Sequence, residues 1–327
     1  MITLPAFTKR FSIILLISIS MAIIPSFWSR GDGSDRAAEV RFAIIGDSGT
    51  GEKPQYEIGR QMDVLHKKQG FSLVLMLGDN IYPNGNPRLF KTRFEEPYKA
   101  LLEDGVRFYA SLGNHDVIKG GPGEREYEHF NMKGHNYYSF VEGDGLIQFF
   151  ALDSTNMNPE QLGWLEGELQ KSAARWEIAF FHHPLYSTCL KHGSNFHLRS
   201  CLEPLFVKYG MSAVFSGHDH VYERLKPSQG VYYFVTGAAG RLRKGNINRS
   251  DPSFAAGNDS VNSFVYATAS PDSLVVAAIG IDGEKLDEIA IPRDMDHNSV
   301  FRIRLQGCGL KTPDSRLQTQ DFLCSAP

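Results

Sequence analysis

The sequence predicts an α/β fold, and three observations predict it. The first is the run Leu73-Val-Leu-Met-Leu77, which is unbroken and apolar, stops at Gly78, and is followed by Asp79, Asn80 and Tyr82. A short continuous run of this kind reads as a strand buried on both faces. The second is repetition. The stretches ending in Gly46-Asp47, Gly113-Asn114-His115-Asp116, His182-His183-Pro184 and Gly217-His218-Asp219-His220 follow the same grammar. Ligands in α/β sheets gather beyond the carboxyl ends of strands. The third is order: the chain alternates strand with helix at first and ends in strands joined by turns.

Each element follows from local pattern. Val40–Ile45 is strand-like. Pro54–Gln69 is helical and stops at Gly70, and Pro87–Glu103 reads as one or two helices with Pro97 opening the second. Arg107–Leu112 is a third strand, and Gly120-Gly-Pro-Gly123 reads as a turn or open loop. Tyr137–Val141 and Leu146–Leu152 make a hairpin around Glu142-Gly-Asp-Gly145. Pro159–Ala174 is an amphipathic helix with Leu162, Leu165 and Leu169 at helical spacing and Asn158 as its cap. Glu177–Phe181 and Met211–Ser216 are strands, with a helix over Cys201–Tyr209. Five further strands are expected at Val221–Leu225, Val231–Thr236, Ser263–Ala269, Leu274–Ile281 and Lys285–Ile291. No second core is evident, so residues 39–292 form one domain.

The ends differ from this domain. Lys9 and Arg10 precede Phe11–Trp28, which carries no charge. Residues 1–28 therefore read as a cleaved signal peptide or an uncleaved signal anchor. Either places the remainder outside the cytoplasm, whether secreted, periplasmic or tethered by its N-terminus. Residues 29–38 read as a polar linker. Residues 293–327 form a tail containing Cys308 and Cys324. Of three pairings, the simplest joins Cys189 with Cys201 and Cys308 with Cys324. Each would close a loop worth about 3 kcal/mol in the chain-entropy model.

Charge excludes some partners. The net charge is −3, and no run of five basic residues occurs, so nucleic-acid binding through a basic patch has no support. Five of the eleven histidines stand at strand ends beside aspartates and an asparagine. Oxygen and imidazole donors in this order point to one metal site at one edge of a sheet.

The ordered set Gly-Asp47, Gly-Asp79-Asn80, Gly-Asn114-His115-Asp116, His182-x-Pro and Gly-His218-Asp219-His220 resembles the calcineurin-like metallophosphoesterases. The resemblance spans about Val40 to Ala239. It implies a four-layer α/β/β/α sandwich, two mixed sheets flanked by helices, in which an aspartate bridges two cations roughly 3.5 Å apart. Most members carry Asp-x-His in the first motif. Here Gly49 stands at the histidine position and Tyr82 follows the second motif. That combination resembles the purple acid phosphatases, in particular the small, single-domain tartrate-resistant type.

The resemblance implies site roles. Asp47, Asp79, Tyr82 and His220 would hold Fe(III). Asp79, Asn114, His182 and His218 would hold Fe(II), Zn(II) or Mn(II). Hydroxide held by the metals would attack phosphorus in line with the leaving group. Asn114, His115 and a second histidine would bind substrate, and His115 and that second histidine would act catalytically. His197 is preferred over His192, and Asp116 would either orient the His115 imidazole or only solvate the turn. His183 is expected to be structural. The basic residues of Arg241-Leu-Arg-Lys244 could attract an anionic substrate, with a solvated cationic segment as the default reading. The expected activity is acid phosphatase, acting as a monomer on small or protein-borne phosphate esters. The alternatives are a phosphodiesterase or nucleotide hydrolase on the same site, and a metal-binding surface protein without turnover. The cysteine-bearing loop and the tail depart from the family pattern and leave substrate scope open.

Overall fold

The computed structural model describes residues 39–119 and 121–293, together with Met1. The leader at 1–28, the linker at 29–38 and the tail at 293–327, with the expected pairing of Cys308 and Cys324, lie outside the described residues apart from Met1 and Arg293. No helix among the described residues is long and apolar enough to cross a membrane.

The chain opens with β1 (Val40–Ile45), α1 (Lys53–Gln69), β2 (Leu73–Leu77), α2 (Lys99–Glu103) and β3 (Arg107–Ser111). A short helix α3 (Gly121–Glu126) leads to the hairpin of β4 (Tyr138–Glu142) and β5 (Ile147–Ala151). Then come α4 (Pro159–Lys171), β6 (Trp176–Phe181), α5 (Phe196–Tyr209) and β7 (Ala213–Ser216). The remaining strands are β8 (Tyr222–Leu225), β9 (Tyr232–Thr236), β10 (Phe254–Asn258), β11 (Ser263–Ala269), β12 (Ser273–Gly280) and β13 (Lys285–Pro292).

The strands form two mixed sheets. One runs β13-β12-β11-β1-β2-β3 and the other β10-β8-β9-β7-β6-β5-β4. Within the first, β1, β2 and β3 are parallel and the rest antiparallel. Within the second, β5, β6, β7 and β9 are parallel. Phe42, Leu75, Phe149, Phe180, Phe215 and Phe234 fill the layer between the sheets. A second apolar layer, including Ile58, Met62, Phe94 and Phe108, packs on the outer face of the first sheet. Leu165, Leu169, Leu202 and Phe206 bring α4 and α5 onto the outer face of the second. This is the expected four-layer sandwich.

Local chemistry explains the helix ends. Asn158 Oδ1 accepts from the Gln161 amide at 2.9 Å, capping α4 as expected. Asn195 does the same for α5 at Leu198, 3.0 Å away. The Pro87–Glu103 region is broken into a 3-10 turn at Pro87–Leu89, a π-helical turn at Lys91–Glu95, and then α2.

Three expectations need correction. The glycine-rich stretch expected to be an open loop begins α3, because Glu124 is drawn fully inside to accept from Asn80 Nδ2 at 3.1 Å. Strand β10 was not anticipated; its small residues Ala255, Ala256 and Gly257 give no alternating signal. Cys189 is a free, buried thiol, whereas Cys201 is disulfide-bonded, so these two do not pair. Cys189 is instead packed in the apolar layer over the second sheet, bridged through its backbone to Ile247.

Candidate metal centre

Five strand ends from the two sheets deliver their side chains to one place. Asp47 follows β1, Asp79 follows β2, Asn114 and His115 follow β3, His182 follows β6, and His218 and His220 follow β7. Asp47, Asp79 and His218 all adopt positive φ, near 53°, 53° and 69°. Non-glycine residues rarely sit there, and such strain concentrates where a side chain must be aimed.

One half of the cluster centres on Asp47, which is fully buried. Its Oδ2 accepts from the His218 amide at 2.8 Å. Its Oδ1 accepts from the Tyr82 hydroxyl at 3.1 Å and lies 3.3 Å from His220 Nε2. The same hydroxyl is 3.4 Å from His220 Nε2. Burial alone would raise Asp47, but His182, His220 and His218 outweigh it and hold the carboxyl at about 2. Burial, with Asp47 and Asp79 close by, pushes the Tyr82 phenol far above its ordinary value.

The other half centres on His182, buried completely. Its Nδ1 lies 2.9 Å from the Leu77 carbonyl, which fixes that nitrogen as the proton donor. Nε2 is left facing Asn114 Oδ1 at 3.0 Å, His218 Nδ1 at 3.2 Å and Asp79 Oδ1 at 3.5 Å. Burial, then His182 and His183, push His218 down to about 2, so its imidazole is neutral. Asp79 Oδ1 is held by the His115 amide at 3.0 Å. Acceptor lone pairs that converge in a buried space call for positive charge. The residues fit a cation. Two overlapping metal-competent groups, Asp47-Asp79-His182 and His182-His183-His218, carry the same message.

The flanking histidines divide. His115 Nδ1 bonds the Pro83 carbonyl at 2.7 Å, and its ring packs on Tyr82 with centroids 4.7 Å apart. Asp116 does not orient that imidazole. It is buried and accepts from the amides of Gly113, Asn80 and Ile81 at 2.8 to 3.1 Å, which ties the second and third motifs together. His183 bonds Ser154 Oγ at 3.0 Å and rests against His218, in keeping with a supporting place.

His192, not His197, meets the cluster. The His192 ring lies 4.3 Å from that of His218. Burial lowers its pKa, Asp219 opposes this, and Lys191 and Arg243 reinforce it. His197 is exposed on the first turn of α5 and takes part through its carbonyl, which accepts from Ser200 Oγ. The resemblance favours His197, because Leu198 and a helix follow it. The fold places His197 on α5 and brings His192, on the preceding loop, against His218.

That loop is held by carboxylates, not by the disulfide the sequence suggested. Asp219 Oδ2 accepts from Ser187 Oγ at 2.7 Å and the Gly193 amide at 3.1 Å. Glu223 accepts from the Thr188 amide and hydroxyl. Both anchors are buried. Asp219 was legible as part of a motif, but its job was not, and Glu223 carried no signal beyond a charge inside a strand.

Residues 40–222, more than half of the chain, match the calcineurin-like phosphoesterase family. The chain belongs to this family. Rabbit (Oryctolagus cuniculus) tartrate-resistant acid phosphatase type 5 is 25% identical over 326 residues, which cover 86% of this chain and 97% of that protein. A purple acid phosphatase from yellow lupin (Lupinus luteus) seeds superposes with a TM-score of 0.68 at 19% identity, covering 86% of this chain and 58% of that one. GAP50, the anchor in the inner membrane complex of Plasmodium, also gives a TM-score of 0.68, at 17% identity, covering 80% of this chain and 90% of that one. These two likenesses show the shared fold. Family membership, together with the purple acid phosphatase relatives, implies a dinuclear metal site in this calcineurin-like phosphoesterase.

Proposed function

We propose that this phosphoesterase hydrolyses phosphate monoesters at a dinuclear centre, outside the cytoplasm. Asp47, Asp79, Tyr82 and His220 hold one cation, read as Fe(III). Asp79, Asn114, His182 and His218 hold the other, read as Fe(II), Zn(II) or Mn(II). The observation that carries the proposal is the Tyr82 hydroxyl within 3.1 Å of Asp47 and 3.4 Å of His220, among donors from both sheets. When bound, the cation pair supplies charge neutralisation and acidifies a water. The disulfide at Cys201 supports an oxidising compartment.

The chain's own residues do the rest. Asn114 and His115 lie side by side after β3 and receive the phosphoryl oxygens. With its Nδ1 given to Pro83, His115 keeps Nε2 to hold or pass a proton. His192, resting on His218, supplies the second imidazole for the leaving oxygen. Asp219 and Glu223 hold the loop that carries it.

The test is turnover of p-nitrophenyl phosphate against its bis(p-nitrophenyl) diester, from acidic to neutral pH, with metal analysis of the same preparation. Faster monoester turnover on a two-metal protein is expected. Faster diester turnover would move the reading to a phosphodiesterase, and two bound metals without turnover would move it to a binding protein.

A further inference from the structure

The loop after β9 is not a solvated cationic segment. Its backbone is pinned to the centre. The Ala239 amide donates to the Gly46 carbonyl at 3.3 Å, and the Arg243 amide donates to the His220 carbonyl at 2.9 Å. Asn262 Nδ2 donates to the carbonyls of Ala238 and Arg241 at 2.9 and 3.3 Å. On this fixed backbone stand two guanidinium groups. Arg241 lies over the Tyr82 ring, 4.6 Å from its centroid. Arg243 is half-buried, near enough to His192 for its charge to act there, and its Nε is buried with no hydrogen-bond partner.

Neither arginine has a carboxylate partner among the described residues. Arg41, Arg107, Arg224 and Arg249 each do. A half-buried guanidinium with an unsatisfied donor awaits an acceptor. The unsatisfied Arg243 donor, with Arg241 lying over Tyr82 beside the cluster proposed to take phosphate, points to a second anion held next to the first.

Resting on the phosphatase reading above, we propose that Arg241 and Arg243 form a subsite for a second phosphoryl group, so that the preferred substrates are terminal diphosphates such as pyrophosphate or a nucleoside diphosphate. Position decides between an adjacent and a remote anion. Arg241 lies over the ring of Tyr82, whose hydroxyl donates to Asp47 Oδ1, and this places it beside the cluster, where the phosphoryl group next to the scissile one would lie. In the reaction, water adds to the terminal phosphorus and the bridging P–O bond breaks. Orthophosphate leaves with the water's oxygen, and the proton passes to the bridging oxygen of the departing phosphate. Arg241 and Arg243 neutralise the charge that appears on that leaving group.

The test compares pyrophosphate and ADP with p-nitrophenyl phosphate on the metal-loaded protein and on its Arg241→Ala, Arg243→Ala and double variants. The ratio of kcat/KM for diphosphate to that for p-nitrophenyl phosphate should fall by about tenfold per arginine, and Arg→Lys variants should recover part of it. Calorimetry gives a readout free of turnover: methylenediphosphonate binding should weaken by about tenfold in each Ala variant relative to orthophosphate binding. An unchanged ratio, in turnover or in binding, overturns the subsite. If the wild-type protein fails to hydrolyse p-nitrophenyl phosphate, the phosphatase reading fails instead, and the calorimetric comparison still judges the arginines. Thermal unfolding of each variant identifies any that fails to fold, and the lysine variants then carry the comparison.

Discussion

The Tyr82 hydroxyl donates to Asp47 Oδ1 across 3.1 Å, joining the ends of β1 and β2 at the centre of the cluster. Burial and two carboxylates strongly oppose ionisation of this phenol without added positive charge. A bound trivalent cation would reverse that balance. Tyr82→Phe removes one oxygen and keeps the ring that packs on His115 and carries Arg241. The purified wild type should show a broad visible absorption band from ferric tyrosinate, and the variant should lack it and retain less iron. A band that survives the substitution removes tyrosine from the metal shell.

Replacing His192 and His197 by asparagine separates the two histidines. His192 rests on His218, and its loop is tied down by Asp219 and Glu223. His192→Asn should lower kcat/KM for p-nitrophenyl phosphate by about 10²-fold, with a changed alkaline limb in the pH profile. His197→Asn, on the exposed first turn of α5, should stay within about twofold, as surface changes usually do. The opposite ranking would restore His197 as the second imidazole.

Much of this was legible because strand ends are legible. An apolar run that stops at glycine and then shows Asp, Asn or His marks both a buried strand and its functional end, so Asp47, Asp79, Asn114, His182, His218 and His220 could be gathered from one dimension. What escaped depends on distance in space. Glu124 reaches Asn80 from a helix hidden in a glycine-rich stretch. Asp219 and Glu223 hold a loop about thirty residues earlier in the chain. His197 was preferred because a helix follows it, yet the direction of that helix is set by Leu198, Leu202 and Phe206 packing on the second sheet. No local pattern states where a loop will fold.

Glu177 gives a stability test away from the centre. It stands near the start of β6, 8% exposed. Burial raises its pKa from 4.5 to about 7, against lowering by Ser172 and Arg293. The folded state therefore binds the proton more tightly than the unfolded chain. The resulting stabilisation is fully present below about pH 4.5 and is lost as pH rises through about 7. Glu177→Gln keeps the shape and cannot ionise. The variant should match the wild type near the acid end of this window and exceed it by on the order of 2 kcal/mol above pH 7. Denaturant unfolding at several pH values checks this; a constant difference across the series would place the Glu177 carboxylate in contact with water.

Gly49 explains why the tyrosine and the missing histidine go together. Its amide donates to the Asp79 carbonyl at 3.3 Å, and its carbonyl accepts from the Tyr82 amide at 2.9 Å. The first and second motifs are thus laid backbone to backbone. A Cβ at position 49 would run into the Asn80 carbonyl and stand 2.6 Å from the Ile81 nitrogen. No histidine could occupy this position without driving the Asp79–Tyr82 segment away, which agrees with the proposal that Tyr82 supplies the ligand instead. Gly49→Ala should shift that segment, at a cost of about 1–3 kcal/mol from overpacking. The same variant should bind less metal and lose visible absorption together with phosphatase activity. Gly163→Ala, on an exposed part of α4 with open space around its Cβ, is the control and should be neutral or stabilising by about 0.5–1 kcal/mol. A Gly49→Ala protein with wild-type unfolding temperature and metal content would show that the backbone contact does not set the ligand choice.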